Sequence, residues 1–192
     1  MTRLVGLSQR VVVDPRTNER RDALDQRWMP FLAACGMTGV PLPNHTETAL
    51  QVAQACGLAA LILTGGNDLA ALAGDAPERD ETERALLDWA AERLPVLGVC
   101  RGAQHLAHLA GGQLERVGGH AGTRHRVEPL GREVNSFHDW AITQAPPGAD
   151  VLARAADGSI EAFRLGNRTA ILWHPEREAQ PHPDDIALLK GL

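Results

Sequence analysis

The run Leu94-Pro95-Val96-Leu97-Gly98-Val99-Cys100-Arg101-Gly102-Ala103-Gln104 constrains the fold of this 192-residue chain more than any other stretch. An apolar strand delivers a cysteine between two glycines, and helical sequence follows at once. That is the pattern of a nucleophile elbow, in which the glycines leave room for a strained strand-to-helix turn that lifts the central side chain out of the sheet. The sulfur then sits near the N-terminus of a helix beginning around Arg101, where unpaired N–H groups and the helix dipole favour negative charge. Cysteine at that place points to thiolate chemistry. The competing reading is a structural cysteine at the end of a central strand, since cysteine is among the most buried residue types.

A strand that feeds a helix directly implies an α/β sheet, and the rest of the first half repeats the alternation. Leu4–Leu7 reads as a strand, Leu24, Trp28, Phe31, Leu32 and Cys35 fall at helical spacing, and Val40–Leu42 reads as the next strand. A helix is expected over Glu47–Cys56. Leu58–Leu63 is a continuous apolar run suited to a strand buried on both faces, and it ends in Thr64-Gly65-Gly66-Asn67-Asp68. A third helix is expected over Asp80–Arg93, with Ala85, Leu86, Trp89 and Ala90 inward and Glu81, Glu83, Arg84, Asp88 and Glu92 mostly solvated. The helix after the elbow carries Ala103, Leu106, Ala107 and Ala110 on one stripe and stops at Gly111-Gly112. Such alternation predicts a mostly parallel sheet with helices on both faces.

From about Gln113 the pattern turns to short strands: Arg124–Glu128, Val151–Ala155, Ile160–Leu165 and Thr169–Trp173, with a turn at Ala156-Asp157-Gly158-Ser159. A closing helix is expected from Pro183 or Asp184 to Lys190. With 44% hydrophobic residues, the chain suffices for one well-filled domain over residues 1–192. A net charge of -5 gives no basic footprint for nucleic acid, and no lysine- or arginine-rich run suggests a membrane surface. No 18-residue apolar stretch occurs, and the expectation is a soluble cytoplasmic protein. Cys35, Cys56 and Cys100 lack metal-type spacing and fit a reducing compartment without disulfides.

A cysteine nucleophile needs a base and a group to orient it. Ile171-Leu172-Trp173-His174-Pro175-Glu176 supplies both at the end of a late strand, because side chains two apart on extended backbone point the same way. Pro175 stiffens the pair by biasing His174 to an extended conformation and fixing its own φ. Cys100, His174 and Glu176 are therefore the candidate catalytic residues, set against the reading of a surface His-Pro-Glu turn. Gly65 and Gly66, at the carboxyl end of another apolar strand, join the Arg101 N–H as candidate oxyanion donors, although a plain tight turn has the same composition. His138 is the rival base, but its neighbour Asp139 points to the opposite side of an extended segment. His105 and His108, and His120 and His125, are spaced for a metal site, yet no acidic or cysteine ligand sits at useful spacing, so neither metal nor cofactor is expected.

Four ordered segments resemble the class I glutamine amidotransferase fold, and within it the γ-glutamyl hydrolase branch, peptidase C26: Leu63-Thr64-Gly65-Gly66-Asn67-Asp68-Leu69, Gly98-Val99-Cys100-Arg101-Gly102-Ala103-Gln104, Glu133-Val134-Asn135-Ser136-Phe137-His138 and Trp173-His174-Pro175-Glu176. The resemblance spans nearly the whole chain and implies a flavodoxin-like three-layer fold. It implies Cys100 as nucleophile, His174 as base, Glu176 as its orienter, and Gly65 or Gly66 with Arg101 as the oxyanion hole. Asn67, Gln104, Asn135, Ser136, Phe137 and His138 fall where the family contacts substrate, Gln104 at the amide and Ser136 to His138 at the glutamyl α-groups. The chemistry implied is cleavage of a γ-glutamyl amide through a γ-glutamyl thioester, with a small-molecule substrate.

Gly6-Leu7-Ser8-Gln9-Arg10 and the segment from Asn18 to Trp28 further resemble a short subgroup encoded with bacterial surface-polysaccharide genes, in which hydrolysis of γ-glutamyl-CDP-amidate is one activity. Arg10, Arg124 and Arg126 are the candidates to meet a phosphate-bearing leaving group, or are ordinary surface arginines. A glutaminase subunit feeding a separate synthetase, and a non-catalytic binding protein of the same fold, are the alternative functions.

Overall fold

In a computed structural model, which describes residues 3–192, strands and helices alternate from the start. The order is β1 (Arg3–Leu7), β2 (Arg10–Val13), β3 (Arg20–Ala23), α1 (Trp28–Ala34), β4 (Met37–Pro41), α2 (Thr46–Cys56) and β5 (Ala60–Leu63). After a 3-10 turn at Ala70–Leu72 come α3 (Pro77–Ala90), β6 (Val96–Val99) and α4 (Arg101–Leu109). The second half holds β7 (Gln113–Arg116), β8 (Ala121–Val127), β9 (Arg132–Phe137), β10 (Trp140–Gln144), β11 (Asp150–Arg154), β12 (Ile160–Leu165), β13 (Arg168–Ile171) and α5 (Pro183–Lys190).

The main sheet runs β4-β1-β5-β6-β13-β12-β10-β7, with β11 paired to β12. Its first five strands are parallel, and the remaining pairings are antiparallel. β13 inserts between β6 and β12, so the last strand of the chain lies beside the elbow strand, with Ala170 opposite Gly98 and Ile171 opposite Val99. All four residues of β5 and all four of β6 are buried, as strands covered on both faces must be. Trp28, Phe31, Leu32 and Leu189 fill the core on one face, and Ala53, Leu86, Leu87, Ala103 and Leu106 fill the other. Helices thus cover both sides of the sheet, the expected three-layer α/β arrangement. No helix among the described residues is long and apolar enough to cross a membrane.

Three local expectations are corrected. The first helix starts at Trp28, leaving Leu24 ahead of it, because residues 10–23 form the hairpin β2–β3 instead. The third helix starts at Pro77 rather than Asp80 and ends at Ala90 rather than Arg93. A proline in its first turn explains the early start, since its missing N–H is an orphan there anyway. Glu83, placed on the solvated face by spacing, is fully buried because two arginines and a histidine meet it inside. β8 and β9 form a separate two-stranded ribbon, joined to the main sheet by the Glu128–Arg154 bridge.

Candidate active site

Three neighbouring parallel strands, β5, β6 and β13, end at one edge of the sheet, where α/β folds place their sites. β6 ends in Cys100, whose φ of 52° and ψ of -108° lie in a region that non-glycine residues seldom occupy. Its N–H donates to Ile171 O at 2.9 Å, anchoring the elbow to β13. The flanking glycines are required by contact rather than by φ. A Cβ on Gly102 would lie 2.0 Å from Leu63 O, and one on Gly98 would lie 2.7 Å from the Gly102 backbone. Arg101 opens α4, so its N–H is one of the four that lack an intrahelical partner.

His174 follows β13, and its Nδ1 lies 2.7 Å from Glu176 Oε1, both side chains being buried. Gly65, following β5, packs against the ring: a Cβ there would stand 2.5 Å from His174 Cε1, 3.3 Å from Nε2 and 3.5 Å from the Cys100 Cβ. The structure therefore brings Cys100, Gly65 and the His174–Glu176 pair together from three separate stretches of sequence. Burial works against an imidazolium at His174, but the Cys100 sulfur, with the Glu176 carboxylate behind the ring, outweighs it and lifts the group to about 9.

The loop after β5 is held by a residue that the sequence analysis did not single out. Arg79 of α3 is fully buried and donates to Thr64 O at 2.6 Å, to Gly65 O at 3.2 Å and to Gly66 O. Because a trans peptide sets its N–H opposite its C=O, the clamp turns the N–H groups of Gly65, Gly66 and Asn67 away from α3. Glu83 accepts from Arg79 Nε at 3.0 Å, from the Arg101 guanidinium and from His105 Nδ1 at 2.8 Å, and Asp80 takes the other arm of Arg101. Both arginines hold Glu83 well below the usual carboxylate range despite its complete burial. A helix-facing arginine four residues before a glutamate was the available signal, but spacing does not say which charged face turns inward.

The remaining site residues are distributed as follows. Asn67 accepts from Val11 N at 2.8 Å and donates to Val11 O at 3.0 Å, fastening β2 to the loop. Asn135 donates to His174 O at 2.8 Å and accepts from His174 N at 2.9 Å, fixing the histidine backbone. Phe137 stands edge-on to the His174 ring at 5.7 Å, with the Arg177 guanidinium over its outer side at 4.7 Å. Ser136 is fully buried and its hydroxyl has no protein partner among the described residues. Gln104 donates to Trp140 O at 2.8 Å. His138 turns Nδ1 toward the same carbonyl at 3.0 Å and Nε2 toward Glu161 at 3.5 Å.

Of the three arginines considered for an anionic group, the structure separates one. Arg10 lies over Gly66 and lines a shallow pocket with Asp25, Trp28, Gly65, His174 and Arg177, and it has no carboxylate partner among the described residues. Arg124 pairs with Glu178 at 3.0 Å and Arg126 with Glu128 at 2.6 Å. The expectation that the histidines lack an acidic neighbour is corrected in space. Glu161 of β12 faces His120, His125 and His138, and Glu83 faces His105. Both carboxylates are remote in sequence from the histidines they meet, so spacing alone could not pair them.

The peptidase C26 family model matches residues 3–129 and 123–176. The chain is 32% identical over 182 residues to the γ-glutamyl-CDP-amidate hydrolase of Campylobacter jejuni, covering 91% of this chain and 90% of that protein. It is 33% identical over 139 residues to the glutamine-hydrolyzing GMP synthase of Mycobacterium bovis, covering 66% of this chain but only 25% of the synthase. A solved glutamine amidotransferase from Thermotoga maritima superposes with a TM-score of 0.70 at 15% identity, over 92% of this chain and 77% of that one. The fold is that of the class I glutamine amidotransferases, and the chain belongs to the peptidase C26 family.

Proposed function

We propose that this member of the peptidase C26 family is a cysteine-dependent hydrolase of γ-glutamyl amides. The family match and the curated relatives support an amide hydrolase of the glutamine amidotransferase type. The observation that carries the finer reading is the meeting of Cys100, the Gly65 loop and the His174–Glu176 pair at three adjacent strand ends. The Cys100 thiolate attacks the γ-carbonyl carbon, and the oxygen takes negative charge beside the N–H groups of Arg101 and of Gly65 or Gly66. His174 delivers its proton to the departing nitrogen as the C–N bond breaks, leaving a γ-glutamyl thioester. The neutral imidazole then takes a proton from water, whose oxygen attacks the thioester carbonyl. Glutamate leaves and the thiolate is restored. Glu176 accepts from Nδ1 and orients the ring, so that Nε2 exchanges the proton.

Ser136 and Phe137, on the strand facing His174, together with Gln104, are assigned to the glutamyl group. Arg10 is assigned to an anionic leaving group, because it is the pocket arginine with no carboxylate partner among the described residues. That assignment favours a γ-glutamyl-nucleotide amidate such as γ-glutamyl-CDP-amidate, the substrate in the printed name of the Campylobacter relative. The similarity to the glutaminase part of GMP synthase favours a second reading, a subunit that passes ammonia to a synthetase partner.

Glutamate release from glutamine and from γ-glutamyl-CDP-amidate, with Cys100→Ala as control, tests both. The mutant is expected to lose at least about 10³-fold in kcat, as removal of a covalent nucleophile does. Equal release by the mutant overturns the mechanism. Arg10→Ala is expected to raise KM for the nucleotide substrate and leave glutamine unaffected. Ammonia formation from glutamine that rises only when a synthetase is added decides for the second reading.

A further inference from the structure

We propose that His120, His138 and Glu161 form a binding site for a zinc ion inside the strand-rich half. No step of the amide chemistry runs through this site, and the inference stands apart from that reading.

Glu161 is completely buried, and neither of its carboxylate oxygens has a hydrogen-bond partner among the described residues. Three imidazole nitrogens face its Oε1: His120 Nδ1 at 3.5 Å, His125 Nε2 at 3.3 Å and His138 Nε2 at 3.5 Å. All three nitrogens are themselves buried without a hydrogen bond. The ligand atoms of His120, His138 and Glu161 lie within 4.8 Å of one another. Five unpartnered polar atoms converging on one buried point is a costly arrangement unless a cation joins them.

The far sides of the rings show which atoms carry the lone pairs. His120 Nε2 lies 2.9 Å from Asp157 Oδ2, and His138 Nδ1 lies 3.0 Å from Trp140 O. Both outer nitrogens therefore bear hydrogen, because their partners can only accept. In the neutral rings the inward nitrogens are then bare, and two lone pairs face a carboxylate. Asp157 is in turn held by Ser159, through its N–H at 3.0 Å and its hydroxyl at 2.7 Å. A ring whose second nitrogen is bonded to a carboxylate or carbonyl is the usual support for a metal-binding histidine.

The spacing agrees with an ion better than with direct contacts. Imidazolium-to-carboxylate hydrogen bonds close to about 2.7–2.9 Å. Ligands at about 2.0–2.1 Å around a tetrahedral centre stand about 3.3–3.4 Å apart, and His120 Nδ1 and His138 Nε2 each lie 3.5 Å from Glu161 Oε1. Two imidazole nitrogens and one carboxylate oxygen suit zinc, and calcium or magnesium would want oxygen ligands. Three protein donors leave the fourth tetrahedral position of the site to an outside ligand such as water. It would fasten the loop before β8 and the β9–β10 turn to β12, bracing the strand that carries Asn135 and Phe137 beside His174.

The test is the zinc content of the purified full chain, followed by removal with a chelator and readdition of zinc alone. About one equivalent per chain is expected, with Tm falling by about 5 °C or more on removal and returning on readdition. His120→Ala and His138→Ala are expected to abolish retention, whereas exposed His108→Ala leaves it unchanged. If the ligand variants fail to fold, cobalt(II) bound to the unaltered protein reports the site, with intense visible absorption expected for tetrahedral ligation. Absence of stoichiometric zinc together with no Tm change on adding it overturns the proposal, as does full retention by His120→Ala or a cobalt spectrum of octahedral type.

Discussion

Two buried polar clusters flank the candidate active site, and they are built on opposite principles. Between α3 and α4, Arg79, Glu83, Arg101, Asp80 and His105 answer one another with direct ion pairs and hydrogen bonds. Around β12, Glu161 faces three histidines at 3.3–3.5 Å with no hydrogen bond made. The first cluster pairs its charges with its own side chains, Arg101 Nε alone of its buried polar atoms lacking a partner among the described residues, and holds the Gly65 loop and the start of α4. The second is a set of donors around a gap. Charge buried in a protein is thus either neutralised by residues of the chain or left as a demand for something from outside.

The contrast makes graded predictions. Glu83→Gln removes the carboxylate shared by two buried guanidinium groups, and about 3–5 kcal/mol of stability is expected to go with it, read as a lowered urea midpoint. A change under about 1 kcal/mol would mean that water already compensates Arg79 and Arg101. Arg79→Lys keeps the charge but cannot fork to three carbonyls, so the loop shifts and kcat for glutamate release is expected to fall about 10²-fold with little change in KM. Unchanged kcat would detach the cluster from catalysis.

On the proposed mechanism, His174 is expected to set the alkaline limb of activity. Its proton is held more tightly in the fold than in the unfolded chain, so its stabilising contribution is complete below the ordinary value near 6.5 and is lost as pH rises through about 9. Activity is expected to fall about tenfold per pH unit above that point, and Cys100→Ala should lower the midpoint of the His174 ring titration seen by NMR. The smallest effect is expected at Glu161. In metal-free protein Glu161→Gln should cost less stability than Glu83→Gln, because the carboxylate faces three imidazoles at 3.3–3.5 Å rather than sharing two guanidinium groups, and it should cost more once zinc is added.

The sequence disclosed the parallel half well because its signals are local. Apolar runs such as Leu58–Leu63 and the glycines around Cys100 report burial and close approach wherever the chain goes. The hairpin β2–β3 and strand β9 escaped for the opposite reason. Arg20–Ala23 has almost no apolar content, and in Arg132–Phe137 three consecutive buried residues, Val134, Asn135 and Ser136, erase the alternation that marks a strand. The residues lining the site were legible at Cys100, His174 and Gly65, each written into a turn or strand end. Arg79, Glu83 and Glu161 were not, because a charged residue inside a helix or strand looks solvated until its partner from another element is known.

The placement of β13 has a consequence for how the molecule is made. β6, an apolar strand, has its second neighbour only when Arg168–Ile171 arrives, about 70 residues later. At about 5–20 residues per second, a ribosome takes roughly 4–15 s to deliver it. During that interval Cys100 has neither His174 nor the carbonyl of Ile171, and β6 presents an open apolar edge of the kind that seeks other chains. Completion of the sheet and assembly of the site are therefore one event, and a nascent chain that stalls before it is both inert and prone to aggregate.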